Sequence, residues 1–185
     1  MSEPIWVSMH IGGTLTEHLD SFVDAMQEFS EGTEGGSYSS LVTNSGHYYV
    51  EGRVNWGNPE ETKSFCQAHD LPYEWRCDGT YEYAPECGFW VPGKKEGVFS
   101  ANSEGKPVVT MEQARKLLQQ AINAIKTENK RAIEPLTRGM EQLCPKWPKI
   151  PKFKVPEDIL PTLIGINLEL DEAIAKRLKS QYEKV

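Results

Sequence analysis

The stretch YEWRCDGTYEYAPECGFW, residues 73–90, reads as strand and turn from end to end. Tyr73, Trp75 and Cys77 alternate with Glu74, Arg76 and Asp78, the period of a strand with one buried face. Asp78-Gly79 is a hairpin signal, and residues 80–83 lead back. Phe89-Trp90-Val91 and residues 97–101 follow as further short strands, with a turn at 103–106. Strands that succeed one another without an intervening helix speak against a repeating βαβ chain.

Toward the N-terminus the pattern is mixed. Residues 5–11 alternate as a strand, and Gly12-Gly13 turns it into a helix whose start is marked by a Thr14/Glu17 capping box. Leu15, Leu19, Phe22, Val23 and Met26 recur at helical spacing. Residues 31–40 read as a loop and 47–54 as a strand. Asn58-Pro59-Glu60-Glu61 opens a second, short helix, with Asn58 as the cap. Toward the C-terminus, Thr110 with Gln113 caps a long helix, about 111–134, which Pro135 breaks or kinks. Leu136, Met140 and Leu143 continue its apolar stripe, and residues 171–182 form a last amphipathic helix.

The order predicts an α+β fold: a mixed or mostly antiparallel sheet with helices packed on one face, then a proline-rich arm and a C-terminal helix. The expected division is one domain over 1–144 and the arm with its terminal helix over 145–185.

The arm itself is PKWPKIPKF, residues 145–153, three copies of Pro-Lys-apolar. A polyproline II helix turns once in three residues, so this period sorts Lys146, Lys149 and Lys152 onto one edge. Trp147, Ile150 and Phe153 then share another, on a rod about 28 Å long. The ridge either packs across the protein's own surface or docks in a partner's groove.

Charge is divided unevenly. Residues 1–93 hold fifteen acids and three bases, whereas 94–185 hold twelve acids and seventeen bases. The acidic half should repel nucleic acid and anionic membrane and attract a basic surface. Within it, Glu74, Asp78, Tyr81, Glu82 and Glu86 gather on the hairpin as the expected contact set. No apolar run is long enough to span a bilayer, and the N-terminus lacks a basic, then apolar, export signal. Four cysteines without such a signal read as reduced thiols in a cytoplasm.

Catalytic chemistry has little purchase. Cys66 and His69 share a helix face, and Cys77 with Cys87 would complete four zinc ligands, but single residues ten apart are not the paired ligands of a structural zinc turn. Ile11-Gly12-Gly13-Thr14 lacks the spacing of a phosphate loop. No cofactor is expected. The sequence thus favours a non-catalytic interaction protein that binds a basic protein surface, in one version as a nucleic-acid mimic or inhibitor. Two alternatives stand beside it: a small hydrolase or transferase using the hairpin carboxylates or the Cys66/His69 pair, and a homo-oligomer assembled through the 145–153 arm.

Overall fold

β1 (Pro4–Ile11) sends Ile5, Val7, Met9 and Ile11 to one side and Trp6, Ser8 and His10 to the other. It lies inside a six-stranded antiparallel sheet ordered β3 (Ser39–Val42), β4 (Tyr48–Asn55), β1, β5 (Tyr73–Cys77), β6 (Glu86–Trp90), β7 (Gly97–Ser100). Met9 stands opposite Val50 on β4 and Trp75 on β5, so three strands present one apolar row. The computed structural model describes residues 4–30, 39–81, 83–127, 130–143 and 146–156. Glu82, Cys144, Pro145 and the helix expected at 171–182 lie outside them.

Two helices cover that apolar face. α1 (Leu19–Met26) continues as a 3-10 turn (Gln27–Ser30), and α2 (Glu60–Ala68) lies beside it. Phe22, Met26, Phe29, Cys66 and Leu71 are completely buried against Val7, Met9, Val50 and Tyr73.

Both expected N-caps of these helices are replaced. Thr14 belongs to β2 (Gly13–Thr14), which pairs in parallel with β8 (Phe153–Lys154), and α1 starts only after His18. Asn58 instead accepts a hydrogen bond from the Lys63 ammonium at 2.8 Å. The start of α2 is held by a distant residue: the Glu28 carboxylate accepts the backbone N–H groups of Glu61 and Thr62. A carboxylate on those unpaired amides also suits the positive end of the helix dipole. Burial raises the Glu28 pKa, against the lowering effect of the same hydrogen bonds.

The hairpin is wider than its sequence signal, since Thr80, Tyr81 and Tyr83 belong to no strand and β6 starts at Glu86. The long helix is also divided. α3 (Met111–Lys126) has the expected Thr110/Gln113 capping box and ends at Thr127, well before Pro135. Pro135 lies in the first turn of α4 (Ile133–Leu143), where a missing N–H breaks no helical bond. No helix among the described residues is long and apolar enough to cross a membrane.

Candidate functional site

One end of the helix layer collects acids and aromatic rings. Thr62 of α2 donates its hydroxyl to the Ala25 carbonyl at the C-terminal end of α1. The ring of His18, just before α1, lies tilted against that of His69, just after α2, with centroids 4.9 Å apart. These two contacts set the helices side by side and antiparallel. Asp24 is thereby brought near Glu60 and Glu61, all three exposed, while Glu17, Asp20 and Asp70 occupy the other end.

The two helices carry a single base between them, and it points inward. Lys63 is 6 % exposed and lies 3.4 Å from the centroid of the Trp75 ring. Its ammonium contacts Asn58 at 2.8 Å and Glu96 at 3.0 Å. Burial lowers its pKa even so, outweighing the opposing pull of Glu96. Neither helix therefore sets an exposed lysine or arginine of its own beside these acids.

The turn ahead of α2 adds an aromatic pair. Trp56, 59 % exposed, meets Tyr83 edge to face with centroids 6.0 Å apart. A Cβ added at Gly57 would lie 3.3 Å from the Cβ atoms of Cys77 and Ile5, and Gly57 takes a positive φ of 65°, so glycine lets this turn close against the end of β5. Trp56 and Tyr83 thus join the hairpin loop to the acidic start of α2. Trp56 was missing from the sequence-level set, although a tryptophan in a Trp-Gly-Asn-Pro turn has little scope for burial.

The expected hairpin residues divide between two faces. Asp78, Tyr81 and Glu86 are exposed, and Glu86 pairs with Cys77 on the face of the sheet that the helices cover. Glu74 projects from the opposite face, where its carboxylate accepts the Trp147 indole N–H at 2.7 Å.

That opposite face carries a cleft of about 300 Å³ bordered by Ser8, His10, Glu74, Arg76, Lys106 and Trp147. Arg76 Nε donates to Ser8 Oγ at 2.9 Å, and the Tyr49 hydroxyl donates to Glu51. Trp147 closes one side, its ring 4.8 Å from that of Phe89. Burial and the hydrogen bond to Glu51 push the Tyr49 pKa up to about 12.

His10 contacts Tyr49 at 4.8 Å between centroids, and its buried Nδ1 has no hydrogen-bond partner among the described residues. Burial lowers its pKa below 6.5; Glu74 raises it less, and His47 and Arg76 lower it further. The unfolded chain therefore binds this proton first as pH falls, so His10 makes stability decline below pH 6.5 until the folded ring is itself protonated. The added slope is a fraction of about 1.4 kcal/mol per pH unit, because solvent reaches the ring and screens it. Denaturant titrations from pH 7 to pH 5 should show a shallower decline in His10→Gln than in the parent protein. Identical slopes would remove His10 from the acid response.

The cysteine candidates sit in unreactive surroundings. Cys66 is fully buried in the core and desolvation drives its thiol pKa far up, while the His69 ring lies tilted against Phe65 with centroids 4.2 Å apart. Cys77 and Cys87 are on adjacent strands but opposite faces, because Cys77 pairs with Glu86 and Arg76 with Cys87. No group of three or more metal-binding side chains occurs among the described residues.

The arm residues also separate by side chain. Lys146, Lys149 and Lys152 are exposed, whereas Trp147 is half-buried and Ile150 and Phe153 are buried. Phe153 joins the main core, stacked on Phe22 at 5.8 Å and beside Tyr48 at 5.4 Å.

The chain matches no family model, and no curated protein or solved structure gives a significant match.

Proposed function

We propose that this protein works by non-catalytic binding to a basic protein surface, through the acidic and aromatic end of the α1–α2 layer. The observation that carries this reading is the segregation of sign: Asp24, Glu60 and Glu61 are exposed while Lys63, the only base of the two helices, is buried. Such a surface attracts lysine and arginine side chains over a distance of several ångströms. Trp56 and Tyr83 then offer ring faces on which a guanidinium can settle. Asp78, Tyr81 and Glu86 extend the contact along the hairpin.

The same reading makes the 145–153 segment a three-residue-period arm that straps the fold shut, with its lysines left for solvent. A reducing cytoplasm suits three cysteines that stand as free, buried thiols. The hydrolase or transferase alternative is weaker, because Glu74 and Glu86 lie on opposite faces of the sheet and the Cys66 thiol is fully buried.

Affinity for a poly-lysine peptide, measured by titration calorimetry at rising salt, tests the proposal. Asp24→Lys combined with Glu61→Lys is expected to weaken binding by at least about 10-fold. Glu104→Lys with Glu112→Lys changes net charge equally at exposed positions elsewhere and should weaken it far less. Equal losses in the two variants, or binding indifferent to salt, would overturn the assignment.

A further inference from the structure

α3 and α4 fold back on each other as an antiparallel hairpin. Leu117 packs against Gly139, where an added Cβ would lie 3.1 Å from Leu117 Cδ1. The partly buried residues Leu117, Ala121 and Ala124 on α3, and Leu136, Gly139 and Leu143 on α4, mark the shared seam. α3 has no buried residue at all.

A second apolar stripe lies beside the seam. On α3 it comprises Met111, Leu118, Ile122 and Ile125, set about 100° round the helix from the seam. On α4 it comprises Ile133 and Met140, set about 90° round. Both rotations have the same sense along their own helices, and the helices run in opposite directions. The two stripes consequently fall on the same side of the hairpin. There Met111 is 80 % exposed, Ile125 76 %, Leu118 62 %, Ile133 61 % and Met140 58 %.

We infer that this face is the interface between two copies of the chain, which pair as an antiparallel four-helix bundle. Charge favours a second copy as the occupant, and the area suits a weak, concentration-dependent pair. α3 is about 24 Å long and α4 about 16 Å, so at about 10 Å a helix the face offers roughly 400 Å² a side. A symmetric pair then covers on the order of 800 Å², below the range of tight interfaces and within that of weak ones. The rims of the face add one complementary pair: Arg115 borders the stripe on α3 and Glu141 borders it on α4, while Glu134 on the same α4 rim is already paired with Arg138.

A twofold axis parallel to the helices sets α3 of one copy over α4 of the other. The Leu117–Gly139 contact fixes the level of the two helices, so Arg115 comes opposite Glu141 of the second copy and Leu118 close to its Met140. Oppositely charged rims and apolar centres then meet in both halves of the bundle.

Sedimentation of the full chain over a wide concentration range tests the pairing. The mass should rise from 20.9 kDa to twice that value. Leu118→Glu should weaken the dimer by at least about 30-fold, as should Met140→Lys, and mixing the two variants should restore it. Arg115→Glu should weaken it as well, and adding Glu141→Arg to the same chain should bring it back. These rim residues are exposed, so the second pair reports on pairing even if an apolar variant folds poorly. A chain that stays monomeric at the highest concentration overturns the inference. So does a dimer that ignores all four substitutions, or a monomer in which the α3 and α4 amides resist hydrogen exchange because residues 157–185 cover the face. None of these readouts depends on the acidic surface of α1 and α2.

Discussion

Phe153→Ala is expected to destabilise the protein by about 4 kcal/mol, the usual cost of emptying a buried aromatic site. The ring is 8 % exposed and lies among Phe22 and Tyr48 in the centre of the core, although it belongs to a segment more than a hundred residues further along the chain. Its backbone is tied as firmly. Phe153 N–H donates to the Gly46 carbonyl at 2.7 Å, and Leu15 N–H donates to the Lys154 carbonyl at 2.9 Å. Loss of the ring should therefore release both edges of the strap together. For a chain of this size the melting temperature should fall by about 10 °C. Hydrogen exchange should show the amides of Gly13, Leu15 and Phe153 opening at a common, faster rate, while β1 keeps its protection. Lys149→Ala, at an exposed position of the same segment, should shift stability by less than about 0.5 kcal/mol. A Phe153→Ala variant as stable as Lys149→Ala would mean that the segment rests on the body without closing it.

The strap shows where local reading of the sequence stops. Alternation identified β1, β4 and β5 because each carries its burial pattern within itself: Ile5, Val7, Met9 and Ile11 need no distant partner to be recognised as one face. The capping box at Thr110 and Gln113 was legible for the same reason, since both of its hydrogen bonds close within four residues. Thr14 and Glu17 have identical local credentials and fail, because Gly13 and Thr14 are claimed as a strand by Phe153 and Lys154. Asn58 fails likewise: a buried ammonium competes for its side chain, and Glu28 reaches the helix start from outside. β3 escaped notice because two serines precede its apolar pair, and only β4 beside it completes the pattern. For the candidate site, the excess of acid was readable as a count, but its location was not. Lys63 decides that location, and a sequence gives no sign that one lysine of α2 will turn inward over Trp75.

Gly52→Ala should be the most damaging small change in the sheet. Gly52 lies in the middle of β4, opposite Val7, on the face covered by the 3-10 turn that follows α1. A Cβ there would overlap the carbonyl oxygen of Phe29, and its other near neighbours are the Phe29 carbonyl carbon and Cβ. A flexible side chain could swing away at little cost, but a backbone carbonyl moves only with its whole turn. A glycine inside a strand marks this kind of close approach. The displaced turn also contains Glu28, so the strain should reach the Glu61 and Thr62 amides that its carboxylate holds. Strand propensity favours alanine by several tenths of a kcal/mol, and the expected net loss remains about 3 kcal/mol. Gly93→Ala is the matched control: its Cβ would meet nothing within 4 Å, and its φ of 77° alone should cost about 1 kcal/mol. Chemical denaturation gives the two losses, and amide exchange at the start of α2 identifies their route. Equal losses in both variants would show that the turn over β4 yields freely. Faster exchange at Glu61 and Thr62 in Gly52→Ala alone would show that the contact between β4 and the turn sets the position of α2, and with it the acidic surface proposed to meet a partner.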